Sequence, residues 1–127
     1  MNYVSFSPLR VENTYQDWRE RLAKANNPRF IPITHIDQRL SEGTAFFLGT
    51  AEAAMVVELV AYPGGAKVVN VIAAAGDMDE ILGPLGERAM EFGRERGADI
   101  AMVPGRVGWK RQRPDFEHYQ TILVKEL

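Results

Sequence analysis

The sequence predicts an α+β fold, with a mixed and mostly antiparallel central sheet flanked by helices, and three observations carry that prediction. Two amphipathic helical stretches come before any strand-like run. Three β-rich runs then follow one another between Ala45 and Ala75 with only short turns between them, the pattern of an antiparallel meander. Finally, Leu85 to Val103 reads as an amphipathic helix, a glycine stop and a buried strand, and a strand–helix–strand crossover favours parallel pairing.

Taken in order, Asn13 or Thr14 can cap a helix running to about Ala25, because Tyr15, Trp18, Leu22 and Ala25 share one face and Asn26-Asn27-Pro28 stops it. Ile33 to Glu42 reads as a second short helix, capped by Thr34 and stopped by Gly43. The runs Ala45 to Ala51 and Ala54 to Tyr62 flank a hairpin at Glu52-Ala53, and Pro63-Gly64-Gly65 turns the chain into Lys67 to Ala75. Leu85, Ala89 and Phe92 mark the buried face of a helix from about Pro84 to Arg96, and Gly97 supplies its left-handed stop. Asp99 to Val103 should then lie parallel to Lys67 to Ala75. A short helix or turn at Val107 to Gln112 leads to a closing strand or hairpin from Phe116.

The 127 residues are enough to bury one core, and no linker or repeat interrupts them, so residues 1–127 read as a single domain. The chain has no cysteine, which excludes a disulfide scaffold, a thiolate zinc site and a cysteine nucleophile and suits a reducing cytoplasm. Met1 to Pro8 lacks the pattern of a signal peptide and no apolar run has membrane-spanning length, so a cytoplasmic protein without a membrane partner is expected. His35 and His118 are the only histidines and neither has ligand spacing around it, so no metal site is expected. Phosphate-loop, nucleophile-elbow and dinucleotide fingerprints are missing.

A net charge of −2 names no partner, but the charge is unevenly spread. Arg106, Lys110, Arg111 and Arg113 follow one another between Pro104 and Pro114 without an acid among them, which points to an anion or an acidic protein partner at Arg106–Arg113. Trp109 beside these cations is also the arrangement that stacks bases, yet four cations in a slightly acidic chain do not favour nucleic acid. Asp77, Asp79 and Glu80 form the opposing acidic cluster.

The phrase Leu85-Gly-Glu-Arg-Ala-Met-Glu-Phe-Gly-Arg-Glu-Arg-Gly-Ala-Asp-Ile-Ala-Met-Val103, with the strand before it and Phe116 to Leu127 after it, resembles the acyl-CoA-binding half of the GNAT superfamily of N-acyltransferases. The likeness covers about the last two thirds of the chain, and the order α, α, β, β, β, α, β, α, β is the family's order. A Gly-Trp pair followed by basic residues, before a terminal Lys-Glu-Leu, looks like the short GNAT-like proteins of tailed bacteriophages.

The resemblance implies transfer of an acyl group from acetyl-CoA or another acyl-CoA to an amine-bearing small molecule or protein. It implies that the cofactor lies along Ala74 and Ala75, with Gly83 and Gly86 near its phosphates and Trp109 and Arg111 beside the cleft. The family's Gln/Arg-x-x-Gly-x-Gly/Ala loop, whose backbone N–H groups meet the pyrophosphate, falls near Asp77, Glu80 and Leu82, and none of the three matches. Acids there repel a pyrophosphate, so weak CoA binding or none is expected. The family's Tyr-x-x-x-Gly-Phe signature aligns on Phe116 with Arg111 in place of Tyr and Asp115 in place of Gly. Glu58, on the second meander strand, is then the candidate general base and Tyr119 the candidate acid. The alternative is a non-catalytic GNAT-fold interaction protein.

Overall fold

The structure is a computed structural model that describes residues 14–104, 111–120 and 122–127. Helix α1 (Tyr15–Ala25) begins as expected at Thr14, whose hydroxyl accepts from the Asp17 N–H. Helix α2 (Ile33–Glu42) ends at Gly43 in the left-handed conformation, but its cap is Pro32, not Thr34. Pro32 already sits in extended backbone and bonds to the His35 N–H through its carbonyl, so Thr34 falls inside the first turn.

Strands β1 (Phe46–Gly49), β2 (Ala53–Ala61), β3 (Lys67–Gly76) and β4 (Ile100–Met102) form one sheet in the order β1-β2-β3-β4. The first three form an antiparallel meander and β4 runs parallel to β3, as the crossover required. The first hairpin turns one residue earlier than Glu52-Ala53. The Thr50 side-chain oxygen accepts from Glu52 N–H and Ala53 N–H, both at 3.2 Å, which closes a local turn and leaves Ala53 in the strand.

Two helices join β3 to β4. The expected one is α4 (Pro84–Glu95), with Pro84 in its first turn and Gly97, at φ 90°, just beyond its end. Before it comes α3 (Met78–Leu82), a five-residue helix that the acidic run had not announced. Asp77 makes it possible by accepting from the Glu80 N–H at 3.0 Å.

The period-two alternation of β2 divides the core between the two faces of the sheet. Trp18, Leu22 and Ile36 from α1 and α2 pack on Ala54, Val56 and Ala73. On the other face Ile81, Leu82, Leu85 and Ala89 from α3 and α4 pack on Met55, Val57 and Val69. A polar clasp ties α1 to α2: Asp37 accepts from Tyr15 Oη at 2.6 Å and from the Arg19 guanidinium at 2.6 to 3.2 Å.

Burial, and next the hydrogen bond to Asp37, push the Tyr15 hydroxyl well above the ordinary tyrosine range. The Arg19 hydrogen bonds hold the Asp37 carboxyl below the ordinary carboxylate value. The neutral tyrosine is the form the fold favours, so this contribution is complete below the unfolded-state value of about 10 and is lost as pH rises through the folded value. In an alkaline titration followed at the tyrosinate absorbance, Tyr15 should ionise last, with loss of structure, and Asp37→Asn should bring that transition to lower pH.

The closing strand or hairpin expected from Phe116 is not formed among the described residues. Residues 116–120 and 122–127 carry no strand pairing and are exposed apart from Phe116. Of the helix or turn expected at Val107 to Gln112, only Arg111 and Gln112 are described, in a single 3₁₀ turn; 105–110, with Arg106, Trp109 and Lys110, lie outside the described residues.

Candidate functional site

The site begins where β3 and β4 stop pairing. Their parallel ladder runs only from Val68 opposite Ile100 to Asn70 opposite Met102. β3 continues to Gly76, still paired with β2 on one side, but no described strand pairs with its other edge beyond Asn70. Among the described residues, the edge of β3 from Val71 to Gly76 is therefore open, and this open edge is the wedge. Along this stretch the β2–β3 register slips between Val56 and Val57, which leaves Ile72 as a bulge. Asn26, at the end of α1, donates to the Ile72 carbonyl at 3.1 Å and fixes that irregular backbone.

Glu58 stands on the row where the wedge opens, since it is the register partner of Asn70, which is itself opposite Met102. Its carboxylate is held on both oxygens: Arg39 of α2 donates to Oε1 at 2.6 Å and Asn70 Nδ2 to Oε2 at 2.8 Å. Arg39 is oriented in turn by its bonds to the Thr44 hydroxyl and carbonyl. Glu58 is thus half-buried and not a solvent-facing strand residue. Arg39 and Asn70 escape sequence reasoning because they come from 19 positions before and 12 after Glu58; the only sequence signal was a polar Asn within the apolar run of β3.

At the far end of this edge, Ala74 and Ala75 are partly buried, one on each face of the sheet. Gly76 takes φ 111°, and a Cβ there would come within 2.5 Å of the Glu52 carbonyl, so the turn out of β3 needs glycine. Gly83 and Gly86 are equally confined: a Cβ would meet the Asp79 carbonyl at 2.7 Å or the Ile81 carbonyl at 2.8 Å. Their small size serves the tight packing of α3 on α4.

Arg113 alters the expected basic patch. It donates to the Leu82 carbonyl at 2.7 Å, to Glu87 at 2.9 Å and to both oxygens of Asp115, and its side chain is largely covered. The hydrogen bonds from Arg113 hold the Asp115 carboxyl below its usual value, and Asp115, ahead of Glu87, keeps the guanidinium charged. Arg113 is therefore a clamp that fastens the segment after β4 to the start of α4, not a free cation. Arg111 is exposed two residues away. Tyr119 is exposed as well, and no hydrogen bond joins it to Glu58, so the structure does not bring the two candidate catalytic residues together. Among the described residues no group of three or more His, Asp or Glu side chains is placed to hold a metal, and no helix is long and apolar enough to cross a membrane.

No family model and no curated protein matches this sequence. Solved structures do. Glucosamine-6-phosphate N-acetyltransferase from Arabidopsis thaliana superposes with a TM-score of 0.59 at 14% identity, over 86% of this chain and 88% of that one. An acetyltransferase of Trypanosoma brucei gives 0.57 at 12% identity, over 86% and 89% of the two chains. A transcriptional regulator from Bacillus halodurans gives 0.57 at 12% identity, over 90% and 95%. At such identities the likeness is one of fold: this chain has the GNAT-like α+β fold, with its mixed four-strand sheet flanked by helices.

Proposed function

We propose that the protein is an acyl-CoA-dependent N-acyltransferase that acts on an amine-bearing small molecule or protein. The observation that carries this reading is the wedge: among the described residues, β3 runs from Val71 to Gly76 without a strand partner on one edge, in a fold shared with proteins described as acetyltransferases. An unpartnered strand edge offers backbone donors and acceptors to an extended ligand, and Ala73, Ala74 and Ala75 leave room for its approach. The acids Asp77, Asp79 and Glu80 fit the phosphates of CoA less well. Together these features support weak binding, directed by the acyl-bearing arm.

When bound, acyl-CoA supplies a thioester, which the amine nitrogen attacks so that an amide forms and the thiolate leaves. The chain's own part is to hold the amine at the mouth of the wedge and to take its proton, a role proposed for Glu58, directly or through water. For that step Glu58 must share its carboxylate with Arg39 and Asn70, which keep it in place on the central row. Tyr119 is the proposed acid for the leaving thiolate only if the exposed segment bearing it closes over the wedge. The absence of cysteine supports a cytoplasmic setting, and the likeness of the Gly-Trp and basic segment to short phage proteins supports an origin in a tailed bacteriophage.

A second reading, a non-catalytic interaction protein, draws on Glu58 being paired on both oxygens and on a protein described as a transcriptional regulator having the same fold. Release of free thiol from acetyl-CoA in the presence of a panel of amines separates the two, and the absence of cysteine removes any background from the protein itself. Turnover that Glu58→Gln lowers by about 100-fold supports the first reading; no release with any amine supports the second. The acids give a further expectation. Asp79→Asn with Glu80→Gln should tighten acetyl-CoA binding by about tenfold, whereas Asp77 must stay because it caps α3. Unchanged affinity in a calorimetric titration would remove the acids from the account.

A further inference from the structure

Strand β2 outruns the helix that covers it. Met55, Val57 and Leu59 alternate onto the face of the sheet where α4 packs, and the first two are buried there while Leu59 is 37% exposed. The cover stops because α4 ends at Glu95 and the chain turns at Gly97, in the left-handed conformation, to enter β4. A depression of about 290 Å³ lies at this uncovered end, lined by Leu59, Ala61, Val68 and Ala98 and by two charged residues, Lys67 and Arg96. Its size is at the small end of ligand clefts, which run from about 300 to 1,000 Å³. It is separate from the wedge: Lys67 starts β3 and Gly76 ends it, about 30 Å further along the strand.

Both charges are positive, and the protein leaves them largely uncompensated. The Arg96 guanidinium lies 3.8 Å from the centroid of the Phe92 ring and 5.9 Å from that of Phe46, and it donates to the Phe92 carbonyl at 3.4 Å. These contacts hold the group without cancelling its charge. Its one ion pair among the described residues, with Glu95, is 3.9 Å long and exposed on both sides, so it contributes little. Lys67 makes no ion pair among the described residues. The neighbouring acid, Asp99, is engaged by the Lys67 backbone: Oδ1 accepts from the Lys67 N–H at 3.1 Å, and the Asp99 N–H donates to the Lys67 carbonyl at 2.8 Å. The carbonyls that end α4 are occupied too, since Gly93 accepts from the Arg96 and Ala98 N–H groups and Arg94 from that of Gly97.

We propose that this depression binds a small monocarboxylate with an aliphatic or aromatic body, its carboxylate on Lys67 and Arg96 and its body on Leu59, Ala61 and Val68. The planar guanidinium fork suits a carboxylate, and the ammonium adds a point charge beside it. An inorganic anion would leave the apolar lining in water. A neutral apolar molecule would leave both cations without a counter-charge, so the two features together select a molecule that carries both. This inference is independent of acyl transfer.

The test is an NMR titration of the isotope-labelled full chain, with phenylpropionate as the probe. Saturable shifts of the Ala61, Lys67 and Ala98 amides are expected, with a Kd of about 0.1–1 mM. Phenylpropanol, which lacks the charge, and acetate, which lacks the apolar body, should each bind about tenfold more weakly or worse. Lys67→Gln should raise the Kd about threefold, leave the melting temperature unchanged and reduce the salt dependence of binding. Adding Arg96→Gln should raise it about tenfold or more. If the double variant loosens α4, Lys67→Gln decides alone, because that side chain is exposed and makes no ion pair. Absence of saturable shifts up to about 10 mM, equal binding of phenylpropanol, an affinity that Lys67→Gln leaves unchanged, or shifts centred on Val71 to Gly76 would each overturn the proposal.

Discussion

Trp18→Ala should cost about 3–5 kcal/mol and lower the melting temperature by roughly 10–20 °C. Trp18 is 1% exposed and is the largest side chain in the core between α1, α2 and the sheet, where Leu22, Ile36, Ala54, Val56 and Ala73 surround it. The neighbours that would have to collapse into the gap come from two helices and two strands, and the alanines among them are too short to fill it. The Arg21 guanidinium, 3.7 Å above the ring, loses its platform as well. Trp18→Phe should recover more than half of the loss. Thermal unfolding followed by circular dichroism checks both, and a Trp18→Ala protein melting within a few degrees of the parent would mean that this core is not where the structure places it.

Substitution of Gly93 has the next largest expected effect, and its sign is informative. In an open helix, Gly→Ala stabilises by about 1 kcal/mol. Gly93, however, lies where α4 rests on β3, and a Cβ there would come within 2.7 Å of Val69 Cγ1 and 2.8 Å of Val69 Cβ. Both are atoms of a branched side chain that is itself buried and cannot swing aside. Gly93→Ala should therefore destabilise, by about 1–2 kcal/mol net, and Gly93→Val by about 3 kcal/mol or more as α4 lifts from the sheet. Because α4 also spans the crossover to β4, the heavier variant should loosen the wedge. Urea unfolding gives the sign directly, and a stabilised Gly93→Ala would show that helix and sheet are not in contact at this point.

These two residues also mark what was readable before the structure. The apolar stripe of Tyr15, Trp18 and Leu22 is a local, periodic signal, and it identified α1 and its buried face. The apolar runs of β2 and β3 and the stop at Gly97 did the same for the meander and the parallel β4. What was not readable depends on distant partners. α3 is only five residues long and relies on the Asp77 cap, so the acids of its first turn read simply as charge. Glu58 alternates with Val57 and Leu59 in sequence, and only the approach of Arg39 and Asn70 makes it a held residue. Arg113 belongs to a basic run by composition, yet the Leu82 carbonyl, 31 positions earlier, and Glu87 turn it into a clamp. The apolar run after Phe116 carries a strand's composition, yet none of its described residues is strand-paired, because composition alone supplies no strand partner.

The central claim is that the wedge beside β3 receives acyl-CoA, and a calorimetric titration of the full chain with acetyl-CoA measures it most directly. A Kd of about 10 µM to 1 mM is expected, since the open β3 edge offers a place for the acyl arm while Asp79 and Glu80 weaken the hold on the phosphates. Absence of heat at millimolar acetyl-CoA, confirmed by an unchanged melting temperature, would contradict the claim and leave this fold as an interaction module.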